Sequence, residues 1–433
     1  MKKYLLPIIM TFVVILNMFS ATNALALGTP PQVVSEGAIL IDMATGRVLF
    51  EQNADKRLYP ASTTKIMTAV LALENLQLDS VAVASYDAVM SIPVGGSNMG
   101  ILEGEQITIK ELLYGALVAS ANEACNVIAE YMSGDVDSFV AQMNEKAVQI
   151  GMTGTKFLNP HGLHSPEHYT TTRDMAILAR YAMQNETFRE IVSTPQYIME
   201  PTNKYNEQRI LTTTNHLISL IQTYSYYYPK ATGIKTGYTR QAGNCLVSSA
   251  SKGGTNFIAV TLNAEPQADA IYSFIDSKAL FEYGFSNYET HILAKPGEII
   301  AEARVKEGRG TKFAKLEVKS DVEGLLPKGA DISKVEKKVT LNENITAPIK
   351  AGDVLGRITY TYDGYELGSG ELVSNADIKR DFFMFILNRI FDFFNIPWIK
   401  IPLILIIGWM IFIRIRRAIR RKKRRKFLRS KRY

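Results

Sequence analysis

Pro60-Ala61-Ser62-Thr63-Thr64-Lys65 is the stretch on which the reading of this chain turns. Pro60 biases Tyr59 towards extended backbone, so a helix is expected to begin just after it. Ser62 and Lys65 are three apart and would share one helix face. Ile66, Met67, Ala69, Val70, Leu71 and Leu73 follow, too continuous an apolar run for a surface helix, which predicts burial on all sides. A hydroxyl and an amine on the first turn of a buried helix make a plausible mount for a nucleophile. The unsatisfied N–H groups there favour developing negative charge. Taken alone, the stretch is better read as an N-cap at Ser62 or Thr63 with a surface lysine, since Ser-x-x-Lys occurs by chance in many proteins.

Two further stretches change that weighting. Ser120-Ala121-Asn122 follows a helix-like segment, Thr108 to Ala119. Lys235-Thr236-Gly237 lies in Gly233-Ile234-Lys235-Thr236-Gly237-Tyr238-Thr239, which reads as a strand. Ser-x-x-Lys, a Ser-x-Asn triplet and Lys-Thr-Gly, in that order, are the signature of serine β-lactamases and penicillin-binding proteins. The chain resembles the low-molecular-mass penicillin-binding proteins, the serine-type D-alanyl-D-alanine carboxypeptidases. Further landmarks carry the resemblance from about residue 35 to 288: Asn159-Pro160-His161-Gly162-Leu163, Thr172-Arg173-Asp174-Met175-Ala176 and Ala242-Gly243-Asn244-Cys245-Leu246. Glu123 departs from the family, which often has Asp there, and little consequence is expected.

The chemistry needs a nucleophile, a base and an oxyanion hole. Ser62 is the expected nucleophile and Lys65 the base. Bringing a lysine from about 10.4 to near 7 takes about 4.6 kcal/mol. Burial and a second cation, Lys235, would both push that way. Ser120 can relay a proton to the leaving amine, and Asn122 can orient Lys65 and hold a substrate amide. Lys235 and Thr236 would bind the substrate's terminal carboxylate. The resemblance implies an oxyanion hole from the backbone N–H groups of Ser62 and Tyr238. Gly237 and Gly233 would let substrate backbone lie close to the strand. Arg173 and Arg240 are weaker carboxylate candidates, and Asp174 reads as a helix N-terminal charge. No cofactor and no metal site are expected: His164 and His168 are four apart, but Pro166 between them breaks the helix face. His161 reads as a turn residue. Tyr224, Tyr226, Tyr227 and Tyr228 either line the cleft rim or pack a strand edge.

The formal charge of +7 is misleading. Residues 414–433 hold thirteen Lys or Arg and no acid. Without them and without Lys2 and Lys3 the remainder carries −8, so the body is acidic and no nucleic-acid partner is expected. Residues 1–26 read as a secretory signal, with Lys2 and Lys3, an apolar run and Ala24-Leu25-Ala26. Residues 396–413 hold one charge, Lys400, and at 1.5 Å per residue span about 27 Å, close to a hydrocarbon core of about 30 Å. The basic tail after them predicts a cytoplasmic C-terminus with the body outside. Residues 381–395 space their aromatics as an interfacial helix would. The two cysteines, Cys125 and Cys245, are expected to be buried free thiols.

The expected fold is α+β: an antiparallel sheet flanked by helices with a helical lobe over residues 29–288, as the resemblance also implies. A small β-rich domain over 290–375 follows, read from short alternating runs at 299–305, 312–318, 337–341 and 354–362. It is read as a stalk, with a binding module as the alternative. The expected activity is removal of the terminal D-Ala from peptidoglycan stem peptides, with β-lactam antibiotics as inhibitors. A β-lactamase and a non-catalytic wall-binding receptor are the competing readings. A Glu-x-x-x-Asn deacylation stretch is missing between Ser120 and Lys235, which weighs against the first.

Overall fold

The computed structural model describes residues 28–265 and 270–430. The expected signal segment lies outside them. The described chain divides into two compact units: one runs to residue 292 and includes 323–336 and 360–368, the other holds 293–322, 337–359 and the residues from 369 onward.

The first unit is built on one five-stranded sheet. β1 (Gly37–Asp42) is buried along its whole length, and β2 (Val48–Gln52) returns beside it. A small hairpin pairs β3 (Val81–Val83) with β4 (Gln106–Thr108), and another pairs β5 (Gln196–Met199) with β6 (Arg209–Thr212). Late in the unit come β7 (Ala231–Thr239), β8 (Gly243–Lys252) and β9 (Thr255–Ala264). The large sheet has the order β2-β1-β9-β8-β7, with every neighbour antiparallel. Both faces are covered, so its strands read as apolar runs. Alternation still decides which residue goes where. Ile39 and Ile41 point into the core with the Lys65–Asn75 and Thr172–Ala182 helices. Ala38 and Leu40 point the other way, towards Phe274, Leu280, Phe281 and Phe285 of the closing helix. That helix spans Tyr272–Asn287.

The helical lobe has local start and stop signals. Thr108 and Glu111 form a reciprocal capping box for Ile109–Leu117. Asp135 caps Val136–Gln149, and Gly134, at φ 85°, ends the preceding Asn122–Ser133 helix.

A buried ion pair ties the loop before β4 to β6. Arg209 donates Nη1 to Glu105 Oε1 at 2.6 Å and Nη2 to Oε2 at 2.9 Å. Thr202 Oγ1 and the Leu102 N–H also donate to this carboxylate, and Arg209 reaches Gly100 O. Burial pushes the Glu105 carboxyl up, but these donors more than offset it and hold the group below the usual carboxylate range. The Arg209 guanidinium also lies 4.1 Å from the Tyr205 ring centroid.

After residue 287, β10 (Tyr288–Ala294) and β13 (Val322–Pro327) form a two-stranded sheet. β11 (Ile299–Arg304), β12 (Phe313–Val318), β14 (Glu336–Leu341), β15 (Val354–Tyr362) and β16 (Tyr365–Ser374) form a five-stranded sheet in the order β11-β12-β16-β15-β14. β13 and β16 were not among the runs expected from sequence. β16 carries Gly-Ser-Gly in its middle, which hides its alternation, yet Asp363-Gly364 before it is a hairpin signal. Two helices follow, Phe382–Asn395 and Pro397–Ser430. The second is long and apolar enough over Trp398–Lys423 to cross a membrane, and none of its apolar window is buried.

Arg209→Met leaves the Glu105 carboxylate buried without its partner, so we expect a loss of about 3–5 kcal/mol of stability. Urea denaturation of the purified protein checks this. Glu105→Leu combined with Arg209→Met should recover most of the loss, and an unchanged midpoint in the single variant would contradict the assignment.

Candidate active site

Ser62 does not sit in an α-helical turn. Residues Ala61–Thr64 form a 3₁₀ turn, and the α-helix starts at Lys65. Neither Ser62 nor Thr63 acts as a side-chain N-cap. Thr63 Oγ1 donates to Pro60 O and Thr64 Oγ1 to Ala61 O, so both threonines brace the turn from behind. His168 Nε2 lies 3.0 Å from Thr64 Oγ1, and Leu158 N–H donates to His168 Nδ1. This arrangement fits a neutral ring, and burial pushes His168 down to about 4. Ala61 holds φ 48° and Ser120 holds φ 62°. Left-handed backbone at a non-glycine residue costs on the order of 1 kcal/mol or more and persists only where the surroundings impose it.

Lys65 is fully buried. Its amine lies 2.9 Å from Ser62 Oγ, 2.7 Å from Asn122 Oδ1 and 2.7 Å from His161 O. Two of these neighbours are carbonyl oxygens, which can only accept. A neutral amine has two N–H bonds and one lone pair. It satisfies the site by donating to the two carbonyls and turning its lone pair on the Ser62 hydroxyl. Burial pushes the Lys65 amine down to about 8, and the nearby Cys125 and Glu123 oppose that shift only in part. The second cation expected to depress it is itself affected: burial, and then the Lys65 charge, hold Lys235 well below the usual lysine range.

A cavity of about 530 Å³ opens over this turn. Ser62, Ser120, Asn122, Thr236, Gly237 and Tyr238 all line it. Lys235 is buried in β7 and donates to Thr236 O at 3.1 Å. Ser62, Lys65, Ser120, Asn122, Lys235, Thr236, Gly237 and Tyr238 thus gather at one place. The expected clearance for substrate at the two glycines is not what their missing side chains provide. A Cβ on Gly237 would lie 3.0 Å from Ser62 N and 3.0 Å from Pro60 O, so this glycine seats β7 against the nucleophile turn. Gly233 packs on Val192, away from the cavity. Gly162, at φ 89°, does for the Asn159–Leu163 loop what Gly237 does for β7: a Cβ there would fall 1.8 Å from Ala61 O.

Of the weaker candidates, Arg173 is held by Asp55 and Glu51 at the surface. Asp174 accepts from Gly154 N–H and Thr155 Oγ1, a structural tether at a helix start. Arg240 is exposed and does not line the cavity. Tyr226 stacks behind His216 and Phe274, which form one wall, and Tyr228 is buried against Phe281.

Several residues at the site escape sequence reasoning. Thr214 shares a hydrogen bond with Thr236, and only the run Thr212-Thr213-Thr214 hints at it. His161 contributes its carbonyl, which no side-chain pattern can signal. Glu123 is buried, and its Oε1 accepts the Met99 N–H at 2.6 Å while Oε2 has no hydrogen-bond partner among the described residues. It pins the loop whose Gly96 and Ser97 line the cavity, and burial pushes its carboxyl up. Cys245 lines the cavity and Cys125 lies near Lys65. Both are free and buried, and burial pushes both thiols up to about 12.

Comparison with known proteins agrees with this geometry. The family described as D-alanyl-D-alanine carboxypeptidase matches residues 24–266. The chain belongs to that family. A second family, the penicillin-binding protein 5 C-terminal domain, matches residues 288–380. The D-alanyl-D-alanine carboxypeptidase DacF of Bacillus subtilis is 36% identical over 362 residues, 82% of this chain and 88% of the relative. Penicillin binding protein 5 from Haemophilus influenzae has a solved structure that matches with a TM-score of 0.64 at 31% identity, covering 81% of this chain and 99% of that one. PBP3 from Streptococcus pneumoniae, a peptidoglycan synthesis regulatory factor, has a solved structure that matches with a TM-score of 0.71 at 26% identity, covering 81% of this chain and 100% of that one.

Because Lys65 can take a proton only when neutral, the reaction of Ser62 with an activated ester should rise with pH and level off above about 8. Stopped-flow acylation rates between pH 6 and pH 10 check this. A profile flat through that range would remove Lys65 as the base.

Proposed function

We propose that this chain is a serine D-Ala-D-Ala carboxypeptidase acting on peptidoglycan stem peptides. The observation that carries the reading is the Lys65 amine, which touches the Ser62 hydroxyl while two carbonyl oxygens occupy its N–H bonds. In the proposed sequence Lys65 takes the Ser62 proton as Oγ attacks the carbonyl carbon of the penultimate residue. Negative charge on the carbonyl oxygen is met by the N–H groups of Ser62 and Tyr238. The carbon–nitrogen bond then breaks, Ser120 relays the proton to the departing D-Ala amine, and an ester remains on Ser62. Water, deprotonated by Lys65, cleaves that ester and restores the hydroxyl.

Recognition falls to β7. Lys235 supplies a positive charge and Thr236 a hydroxyl for the terminal carboxylate, and an arriving carboxylate would favour the charged form of Lys235. Asn122 divides its amide, with Oδ1 on Lys65 and Nδ2 left for a substrate carbonyl. A β-lactam carries a carboxylate and a strained acyl carbon in the same relation, so it acylates Ser62 and blocks the site.

Residues 396–413 are proposed as a membrane anchor, with the 381–395 helix at the interface, the catalytic unit outside and the basic tail in the cytoplasm. The support is the exposed apolar helix and the positive charges directly after it.

Penicillin treatment should leave one adduct on the Ser62 peptide by mass spectrometry, and Lys65→Ala should slow its formation by more than a thousandfold. With a stem pentapeptide as substrate the products should be the tetrapeptide and free D-Ala. An adduct on another serine, or hydrolysis of penicillin with no pentapeptide turnover, would overturn the assignment.

Protease added to intact cells should release the catalytic unit and spare residues 414–433. Digestion of that tail from outside would show that the span does not cross.

A further inference from the structure

The second unit holds a cleft that the catalytic reading does not use. It encloses about 860 Å³ between the Phe382–Asn395 helix and the β11–β12 connection with the loop after β14. The helix is divided lengthwise. Phe385, Asn388, Arg389 and Asp392, spaced i, i+3, i+4 and i+7, line the cleft. Phe382, Phe383, Ile386, Ile390, Phe393 and Phe394 are exposed. The helix is fastened at its start and near its middle. Asp381 N–H donates to Glu307 O, Arg380 Nε donates to Ala347 O, and Asn388 Nδ2 donates to Glu307 Oε1.

The charge lining this cleft is unbalanced. Arg304, Lys306 and Lys312 face Arg380 and Arg389 across it, against two carboxylates, Glu307 and Asp392. Glu307 is taken up by Arg380, 3.5 Å away, and by Asn388. Among the described residues, Arg304, Lys306, Lys312 and Arg389 form no ion pair, and Lys306 donates only to the neutral Asn344 amide. Arg380 and Arg389 both lie near the Phe385 ring, 4.9 and 5.3 Å from its centroid. An excess of cations in a walled cleft focuses a positive potential, and arginine forks match phosphate oxygens.

We propose that this cleft binds the phosphodiester headgroup of an anionic phospholipid. The inference rests on the anchoring reading above. With the aromatic face of the helix in the acyl boundary, the cleft on its opposite face lies at headgroup depth. A phosphodiester brings one negative charge to four unpaired cations. A choline headgroup brings a compensating positive charge that the same cations disfavour. A soluble phosphate ester shares the phosphate chemistry but gains nothing from the adjoining apolar face, which is why the lipid is the occupant chosen.

The test uses the full chain in a non-ionic detergent, with native mass spectrometry of retained lipid. Dioleoyl-phosphatidylglycerol should be retained at least tenfold over dioleoyl-phosphatidylcholine. Arg304→Gln with Arg389→Gln should bring that preference to within about twofold, and Lys312→Gln alone should reduce it. Arg416→Gln with Arg417→Gln, in the tail, should leave it intact. Thermal melting and Ser62 acylation verify that each variant is folded. A preference that survives the cleft variants, or is lost with the tail variant, overturns the proposal. Displacement of the lipid by an equal concentration of inorganic phosphate or glycerol phosphate also overturns it, by making the cleft a plain phosphate site. Alkaline extraction of membranes tests the span separately: a protein extracted by carbonate contradicts the anchor, whatever the lipid preference.

Discussion

Everything in the catalytic unit defers to one buried amine. Lys65 is fully buried and has no carboxylate within ion-pair distance among the described residues. A buried charge without such help is costly, and the amine sheds its proton more readily than a surface lysine. The environment supplies two carbonyl acceptors and one hydroxyl, which suit the neutral form. The helix end, the Asn122 helix and the His161 loop meet at this point because each must bring one of those oxygens.

Keeping the oxygens in place is a packing problem, solved with small residues and bent backbone. Gly237 and Gly162 let a strand and a loop press on the nucleophile turn from two sides. Ala61 and Ser120 hold left-handed backbone. Two buried carboxylates then anchor the loop across the cavity: Glu123 takes the Met99 N–H, and Glu105 takes Leu102 N–H together with Arg209. Ile101 of the same loop is buried in the core and Met99 packs against it, so polar tethers and apolar packing hold the loop together.

The motif triplets made the site legible because acyl transfer constrains side-chain type at each position. The sheet was legible in β1 and β7 to β9, where apolar runs end in turns. What could not be read was supplied by backbone or by context. The His161 carbonyl has no sequence mark. Thr214 is one hydroxyl in a run of three. The 3₁₀ turn at Ala61 depends on glycines more than a hundred residues away in sequence. Gly233 and Gly237 carried the right residue type but the wrong reason, since a glycine's clearance can serve the protein's own chain as well as a ligand. β16 was masked by its glycines, although the Asp363-Gly364 turn announced it.

The pairing of β1 with β9 has a consequence for how the enzyme comes into being. Gly37 lies opposite Leu262, and Asp42 opposite Phe257, so the middle of the sheet joins the two ends of the catalytic unit. Such non-local pairing makes assembly slow, because the loop-closure entropy must be met before the contacts form. β7, which seats the Ser62 turn, is tied into the same sheet only through β8 and β9. A growing chain that stops short of β9 therefore lacks the strand that joins the β1–β2 pair to the β7–β8 pair, and with it the frame that carries β7 to the Ser62 turn.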